Sequence, residues 1–279
     1  MKKKMGIKLG QRLRDVILIV FAATFLLPLY WMLTLSVKDA AQAARDPYAI
    51  PDGLHFENYG AAWERIDMPN LLKNSFIYTT GALILCLAVS VMIAYALTRM
   101  RMRHADMGRM YFTMGMLIPV SVLLIPVYRI IMSLGLKQTY WALILPYAAF
   151  AMASAILMIC AFFRSIPVEM EEAAAIDGCN VYRTFFCIML PMVKPALVTQ
   201  AMLMYITNWN EYALASILAI GERMRTIPLA LDLFFGQFDI TNWGVVGAAV
   251  TVTSLPVIVV FVLCNKQIEQ AMVGSSGLK

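Results

Sequence analysis

The sequence predicts an all-α integral membrane fold of six transmembrane helices, with a further short helix in the loop between the fourth and fifth spans. Three observations carry that prediction. The 279 residues are 61% hydrophobic and only 14% charged. Soluble domains run at about 45–50% apolar and about 25% charged, so a water-soluble core of this size could not hide so much apolar surface. Six stretches reach the ~20 apolar residues needed to cross a ~30 Å hydrocarbon layer: 16–37, 74–98, 110–131, 140–163, 195–220 and 243–264. The basic residues are also unevenly shared. Fifteen Lys and Arg fall in the N-terminal segment, the 99–109 and 164–194 loops and the tail, and eight fall on the opposite side. The positive-inside rule then places both termini in the cytoplasm.

Residues 1–15 form a cytoplasmic segment carrying Lys2, Lys3, Lys4, Lys8, Arg12 and Arg14. Arg99, Arg101, Arg103 and Arg109 lie between the second and third spans. Basic residues that flank spans orient the chain and meet anionic headgroups of the bilayer. The net charge of +6 therefore needs no nucleic-acid partner, for which a long basic face with interleaved aromatics would be required. The first span is longer than a signal-peptide h-region and ends without a small-x-small cleavage pattern, so it is expected to be retained.

The external 38–73 loop offsets four basic residues with six acidic ones. Its Asp46-Pro47, Pro51-Asp52-Gly53 and Phe56-Glu57-Asn58-Tyr59 read as turns and short amphipathic pieces. In the third span Pro119 and Pro126, and in the sixth Pro256, each remove a backbone hydrogen bond and bend the helix. Such bends suit a pathway-lining helix and an ordinary packing kink equally. Arg129 is expected to snorkel to the outer interface. The 21 methionines read as packing and lipid-facing residues. The five cysteines, Cys86, Cys160, Cys179, Cys187 and Cys264, form no C-x-x-C pair and none lies in an external segment. Neither a disulfide nor a structural zinc is expected. His55 and His104 fall in loops on opposite sides, so no metal site is expected either.

The internal 164–194 loop is too long to be a simple connection. Its Ser165–Gly178 stretch reads as one short helix with clear ends. Ser165 or Ile166 can cap it, and Pro167 falls in the first turn, where a missing N–H costs nothing. Glu169, Glu171 and Glu172 follow near the positive end of the helix dipole, and Gly178 supplies the left-handed residue that stops it. Met170, Ala173, Ala174 and Asp177 share one face, on which alanine allows close approach of a partner. A second helix from about 180 to 188 is expected to end before Leu190-Pro191.

Glu172-Ala173-Ala174, three residues, Gly178, nine residues, Ile188, one residue, Leu190-Pro191 resembles the EAA loop of permeases in binding-protein-dependent ABC importers. Asn208-Trp209-Asn210-Glu211-Tyr212, Thr226-Ile227-Pro228-Leu229, Trp243-Gly244 and Leu255-Pro256 are similar to the carbohydrate-uptake branch, in its maltose-permease "G" type. The stretch 47–59 resembles that type's external loop, and the tail 273–279 matches loosely. The resemblance implies a type I importer permease domain over 16–264, with an EAA loop at 164–194 and a cytoplasmic tail at 265–279. It also implies a mechanism in which the EAA helix sits in a cleft of an ATPase subunit and passes its closure to the spans, with Glu171, Glu172, Ala173, Ala174, Asp177 and Gly178 carrying that contact. The implied partners are a second permease subunit, an ATPase dimer, an extracytoplasmic solute-binding protein and a sugar, at the bacterial inner membrane. An amphipathic loop helix lying at the headgroups is the alternative, but surface-bound helices are usually basic and this one is acidic.

Apart from Glu211, no acidic residue lies deep in a span, which leaves little for proton coupling. No G-x-x-x-x-G-K-[ST] loop is present to bind ATP. This chain is therefore expected to bind no cofactor, with ATP and Mg held on partner ATPase subunits. No clustered nucleophile, base or metal site points to catalysis. Asn208, Trp209, Asn210, Glu211 and Tyr212, placed near the middle of the fifth span, suit two roles. Amides and rings can receive a polyhydroxylated substrate along its path, or polar side chains can bond neighbouring helices. A permease for a polyol, glycerol phosphate or amino acid is the alternative to a sugar permease, although the spans show no basic residues for a phosphate.

Overall fold

A computed structural model describes residues 2–100, 102–234 and 241–276. Among these residues the secondary structure is helical, with no strand. Four helices are long and apolar enough to cross a membrane by themselves. They are α1 (Lys2–Ser36), α4 (Met68–Arg99), α7 (Trp141–Ser165) and α14 (Trp243–Ser276). Between α1 and α4 lie α2 (Ala40–Arg45) and α3 (Glu57–Arg65). Two further spans exist only as bent pairs.

The first bent pair is α5 (Ala105–Gly115) and α6 (Val120–Ser133), which turn through 100° at the intervening break. The sequence predicts a kinked single helix over 110–131. Pro119 does more than kink it. Its ring disfavours helical backbone at Ile118, and Pro119 itself is extended, with ψ 137°, where α6 begins. Pro126, by contrast, is carried inside α6. The second pair turns through 66° between the 181–192 segment and α11 (Lys194–Trp209). The helix does not continue to residue 220 as expected. It stops at Trp209, and a six-residue helix, α12 (Ala213–Leu218), follows the break. The loop beyond holds α13 (Ile227–Leu231).

Helices α1, α2, α3 and the start of α14 make one compact unit. Side chains 14–30 of α1 are all exposed, an apolar surface that lipid rather than water would solvate. The rest of the unit is a knot of capped turns. The Asp39 carboxylate accepts the Gln42 amide at 2.8 Å to start α2, which holds its pKa below the ordinary value. Lys38 is fully buried and its Nζ donates to the carbonyls of Asp46 and Pro47, at 3.3 and 2.8 Å. Asn58 Nδ2 donates to the carbonyls of Ser36 and Lys38 at 3.0 and 2.7 Å. Gly244 and Gly247 let α14 approach this backbone closely. A Cβ on Gly247 would lie 2.8 Å from Ser36 N, and one on Gly244 would meet Lys38 O. The Trp243-Gly244 pair thus has a packing cause.

Helices α4 to α13, with the remainder of α14, form the other unit. Its main cluster packs Tyr78, Ala82 and Cys86 of α4 against Leu143, Tyr147 and Ala148 of α7, Met204 of α11, and Leu214 and Ala215 of α12. Ala82, Cys86, Ala148 and Ala215 sit among the larger side chains, where small residues let helices in lipid approach closely. A second cluster at the other end of α4 joins Ala94 and Tyr95 to Ile159 and Phe163 of α7 and to Phe185, Met189 and Val193 of the 164–194 loop. Gly277-Leu278-Lys279, the end of the loosely matched tail, and Arg101 lie outside the described residues.

Candidate functional site

The 164–194 loop builds a helical hairpin. Helix α8 (Glu169–Ile176) starts after Pro167 and Val168, with three carboxylates in its first turn. Neither Ser165 nor Ile166 caps it, contrary to expectation, since the Ser165 hydroxyl turns back to donate to Phe162 O at 2.8 Å. At the far end, Cys179 N donates to Ala174 O at 2.9 Å and Gly178 N to Ala175 O at 3.1 Å. Gly178 has φ +80°. This is a Schellman stop, in which glycine takes the left-handed position at no steric cost.

The hairpin then continues through α9 (Val181–Thr184), whose first turn is capped by Asn180 Oδ1 accepting from Arg183 N at 2.9 Å. The expected helix end before Leu190-Pro191 is absent. A π-helical turn over Phe185–Met189 leads directly into α10 (Leu190–Met192). The wider turn gives Pro191 room, since a proline in a regular α-turn clashes with the carbonyl four residues back.

The six loop residues singled out by sequence divide into two sets. Glu172, Ala173, Asp177 and Gly178 are exposed, together with Ile176, which is 87% exposed. Glu171 and Ala174, at i and i+3, face inward. Ala174 is 3% exposed, so its small size serves close approach of α8 to its own chain. The outward face presents two acids, alanines and an isoleucine, a mixed surface suited to a partner protein. The inward face meets the end of α4, where Glu171 approaches Arg99 and Tyr95, and Tyr95 in turn meets the Phe163 and Phe185 rings edge-on or tilted at 5.6 and 4.9 Å.

The Asn208–Tyr212 segment sits at the break between α11 and α12 rather than mid-helix. It borders a cavity of about 630 Å³. Asn208 and Glu211 line that cavity. Asn208 is 8% exposed and its Nδ2 is buried with no protein partner. Trp209 is instead buried and stacked on Tyr205, with centroids 5.5 Å apart. Asn210 Nδ2 closes the helix end by donating to Ile206 O at 2.8 Å. Tyr212 is exposed and is not among the cavity residues.

Glu211 explains the break. Its Oε1 accepts from Leu214 N at 2.7 Å, and its Oε2 accepts from Ala215 N at 3.1 Å and the Tyr147 hydroxyl at 2.8 Å. The carboxylate therefore holds the free amides at the start of α12, a task that favours a negative charge. Sequence reasoning missed Tyr147, Phe150, Ser154 and Gln200, which share the cavity wall. Gln200 Nε2 donates to Ser154 Oγ at 3.3 Å. A polar amide in an apolar span, eight residues before Asn208 and so near the same helix face, was the available signal for Gln200. The described lining residues include no Lys, Arg or His.

In the same unit the Thr226-Ile227-Pro228-Leu229 stretch is fastened to the start of α4. Asn74 Nδ2 donates to the carbonyls of Arg223 and Arg225 at 2.8 and 3.0 Å, and Ile227 N donates to Ser75 Oγ at 2.9 Å. Tyr140 donates to Asn74 Oδ1 at 3.0 Å and fixes the amide's orientation.

Residues 90–274 match the family described as binding-protein-dependent transport system inner membrane component. The chain is 35% identical over 261 residues to the probable ABC transporter permease protein YurM of Bacillus subtilis, covering 94% of this chain and 86% of that protein. It is 31% identical over 254 residues to the diacetylchitobiose uptake system permease protein NgcG of Streptomyces coelicolor, covering 90% and 84%. Its fold is similar to a chain of a bacterial ABC transporter involved in the import of the acidic polysaccharide alginate. That likeness has a TM-score of 0.83 at 25% identity and covers 93% of this chain and 96% of the other.

Proposed function

The chain belongs to the family of inner membrane components of binding-protein-dependent transport systems, and from that premise we propose that it is the permease subunit of an ATP-driven sugar importer. The observation that carries this reading is α8, a stopped and seated helix that turns Glu172, Ala173, Ile176 and Asp177 outward. Such a helix, stopped at Gly178 and tied through Glu171 to Arg99 at the end of α4, can pass a push from a partner to the spans. The partners proposed are a second permease, a pair of ATPase subunits that hold ATP and Mg, and an extracytoplasmic solute-binding protein. The charge distribution supports both termini on the cytoplasmic side, which puts α8 on the ATPase side.

The sugar reading is supported by the similarity to a diacetylchitobiose permease and by the chemistry of the cavity. Asn208, Gln200 and Ser154 offer amides and a hydroxyl, and Tyr147 and Phe150 offer rings. Hydroxyls bond the former, and the apolar faces of a sugar ring pack on the latter. The lack of basic residues in its wall argues against a phosphorylated solute.

The test is reconstitution of the chain in proteoliposomes with the partners encoded beside it. ATP-dependent uptake of a mono- or oligosaccharide is the expected result. Uptake of an amino acid or glycerol phosphate instead, or uptake that needs no ATPase subunit, would contradict the reading.

A further inference from the structure

Arg99 ends α4, and its side chain is only 6% exposed. Its Nη2 donates to the carbonyls of Phe163 and Ile166, at the end of α7. Its Nη1 lies 3.7 Å from Glu171 Oε2 on α8, and Glu171 is itself 18% exposed. Among the described residues this is the one ion pair with both side chains more than four-fifths buried. Arg99 Nε is buried without a partner, and the Tyr95 hydroxyl also faces the Glu171 carboxylate.

A buried ion pair is weak evidence of stabilisation, because desolvating two charges offsets most of their attraction. A separation of 3.7 Å also exceeds the ~2.7–2.9 Å of a charge-assisted hydrogen bond. The pair is therefore held together but not closed, and about 1 Å of travel by α8 would tighten it or release it. Tyr95, one turn before Arg99, is gripped between Phe163 and Phe185. The last turn of α4 is thus tied at once to α7, α8 and the π-helical segment.

We propose that Arg99 and Glu171 form a latch that carries movement of α8 directly into α4. The second span would then move with the coupling helix, in addition to the two spans that adjoin the loop. This inference rests on the coupling role given to α8 above and deepens it. It makes Glu171 a positioning residue that works through Arg99 and leaves the ATPase contact to the exposed Glu172, Ala173 and Asp177.

The experiment measures sugar moved per ATP hydrolysed in the complete reconstituted importer. The variants are Glu171→Gln, Arg99→Gln and the double substitution. A latch predicts that each single change lowers the ratio about tenfold while the ATPase subunits still co-purify, and that the double change is no worse than the poorer single. A merely structural role would lower the yield of complex and leave the ratio per complex unchanged. Additive losses, an unchanged ratio, or loss of the ATPase in Glu171→Gln alone would overturn the proposal. If Arg99→Gln does not assemble, Arg99→Lys replaces it, and an intermediate ratio is expected because lysine is a point charge that cannot span two carbonyls and a carboxylate. A wild-type complex that hydrolyses ATP but moves no sugar would defeat the functional reading itself. A working wild type with unaffected variants defeats only the latch.

Discussion

The Tyr147 hydroxyl donates to Glu211 Oε2 at 2.8 Å, across the point where α11 gives way to α12. One carboxylate thereby receives three donors from two helices. Glu211 is a hinge pin for the broken span, and its charge is needed because every group facing it donates.

Replacing Glu211 with Gln turns an NH₂ group toward a backbone amide, of Leu214 or Ala215, whose N–H it cannot accept. A buried donor left unpaired costs about 1–3 kcal/mol. Glu211→Gln should therefore melt well below wild type in detergent. Tyr147→Phe removes one donor and leaves the two amide bonds, so it should melt between the two. A Glu211→Gln chain as stable as wild type would show that the carboxylate does not hold the break.

Gly247 and Gly60 form a contrasting pair. A Cβ on Gly247 would lie 2.8 Å from Ser36 N and 3.1 Å from Leu35 C, all of it backbone that cannot swing aside. Overpacking of that kind costs about 1–3 kcal/mol, so Gly247→Ala should lower thermal stability. A Cβ on Gly60 meets nothing within 4 Å, and Gly60 lies inside α3. Gly60→Ala should stabilise by about 0.5–1 kcal/mol through helix propensity. Equal effects of the two substitutions would contradict this packing account.

Asn74 is fully buried and makes bonds to two carbonyls and a tyrosine. Asn74→Ala takes its donor from Arg225 O, while Arg223 O keeps Asn70 Nδ2 at 3.1 Å, and an unpaired buried carbonyl costs about 1–3 kcal/mol. Amide exchange across 223–227 should speed up, with α8 unaffected. Unchanged exchange at Ile227 would mean that Asn70, Ser75 and Tyr78 hold the loop without Asn74.

Gly178 separates folding from partnership. Its φ of +80° costs a non-glycine residue about 1–2 kcal/mol, yet a Cβ there meets nothing within 4 Å. In the isolated chain, Gly178→Ala and Gly178→Trp should therefore melt alike. In the assembled importer the bulky residue should displace the ATPase subunit and abolish uptake, while alanine only weakens it. If both variants import normally, Gly178 lies outside the contact.

The long spans were legible because apolar length is a property of consecutive residues, and 140–163 maps closely onto α7. The ends of α8 were partly legible too. Gly178 and Pro167 act locally, whereas the expected Ser165 cap failed because its hydroxyl had a nearer carbonyl in Phe162. The two bent spans were not legible as breaks. A hydropathy window averages across Pro119, and the 210–212 break holds neither Gly nor Pro. The carboxylate of Glu211, three residues before Leu214, was the local signal of a capped helix start. The pairing of Arg99 with Glu171, and the meeting of Tyr147 with Gln200 and Asn208 across one cavity, join residues more than 50 positions apart, so neither could be read from spacing. The rotation of α8 was also ambiguous. Ala173 and Ala174 differ by about 100° around a helix, and the folded setting of α8, with Glu171 turned toward Arg99, decides which of them is buried.

A coupling role for α8 requires that it face an ATPase from the cytoplasm with Ala173 outward and Ala174 inward. Single cysteines at these two positions, in a chain whose native cysteines are replaced, can be challenged with a membrane-impermeant thiol reagent in oriented vesicles. Ala173→Cys should label only from the cytoplasmic face and become protected when the ATPase subunits are bound, while Ala174→Cys should stay unlabelled. Labelling of Ala173→Cys from the outside, or with equal speed whether or not the ATPase is bound, would contradict it.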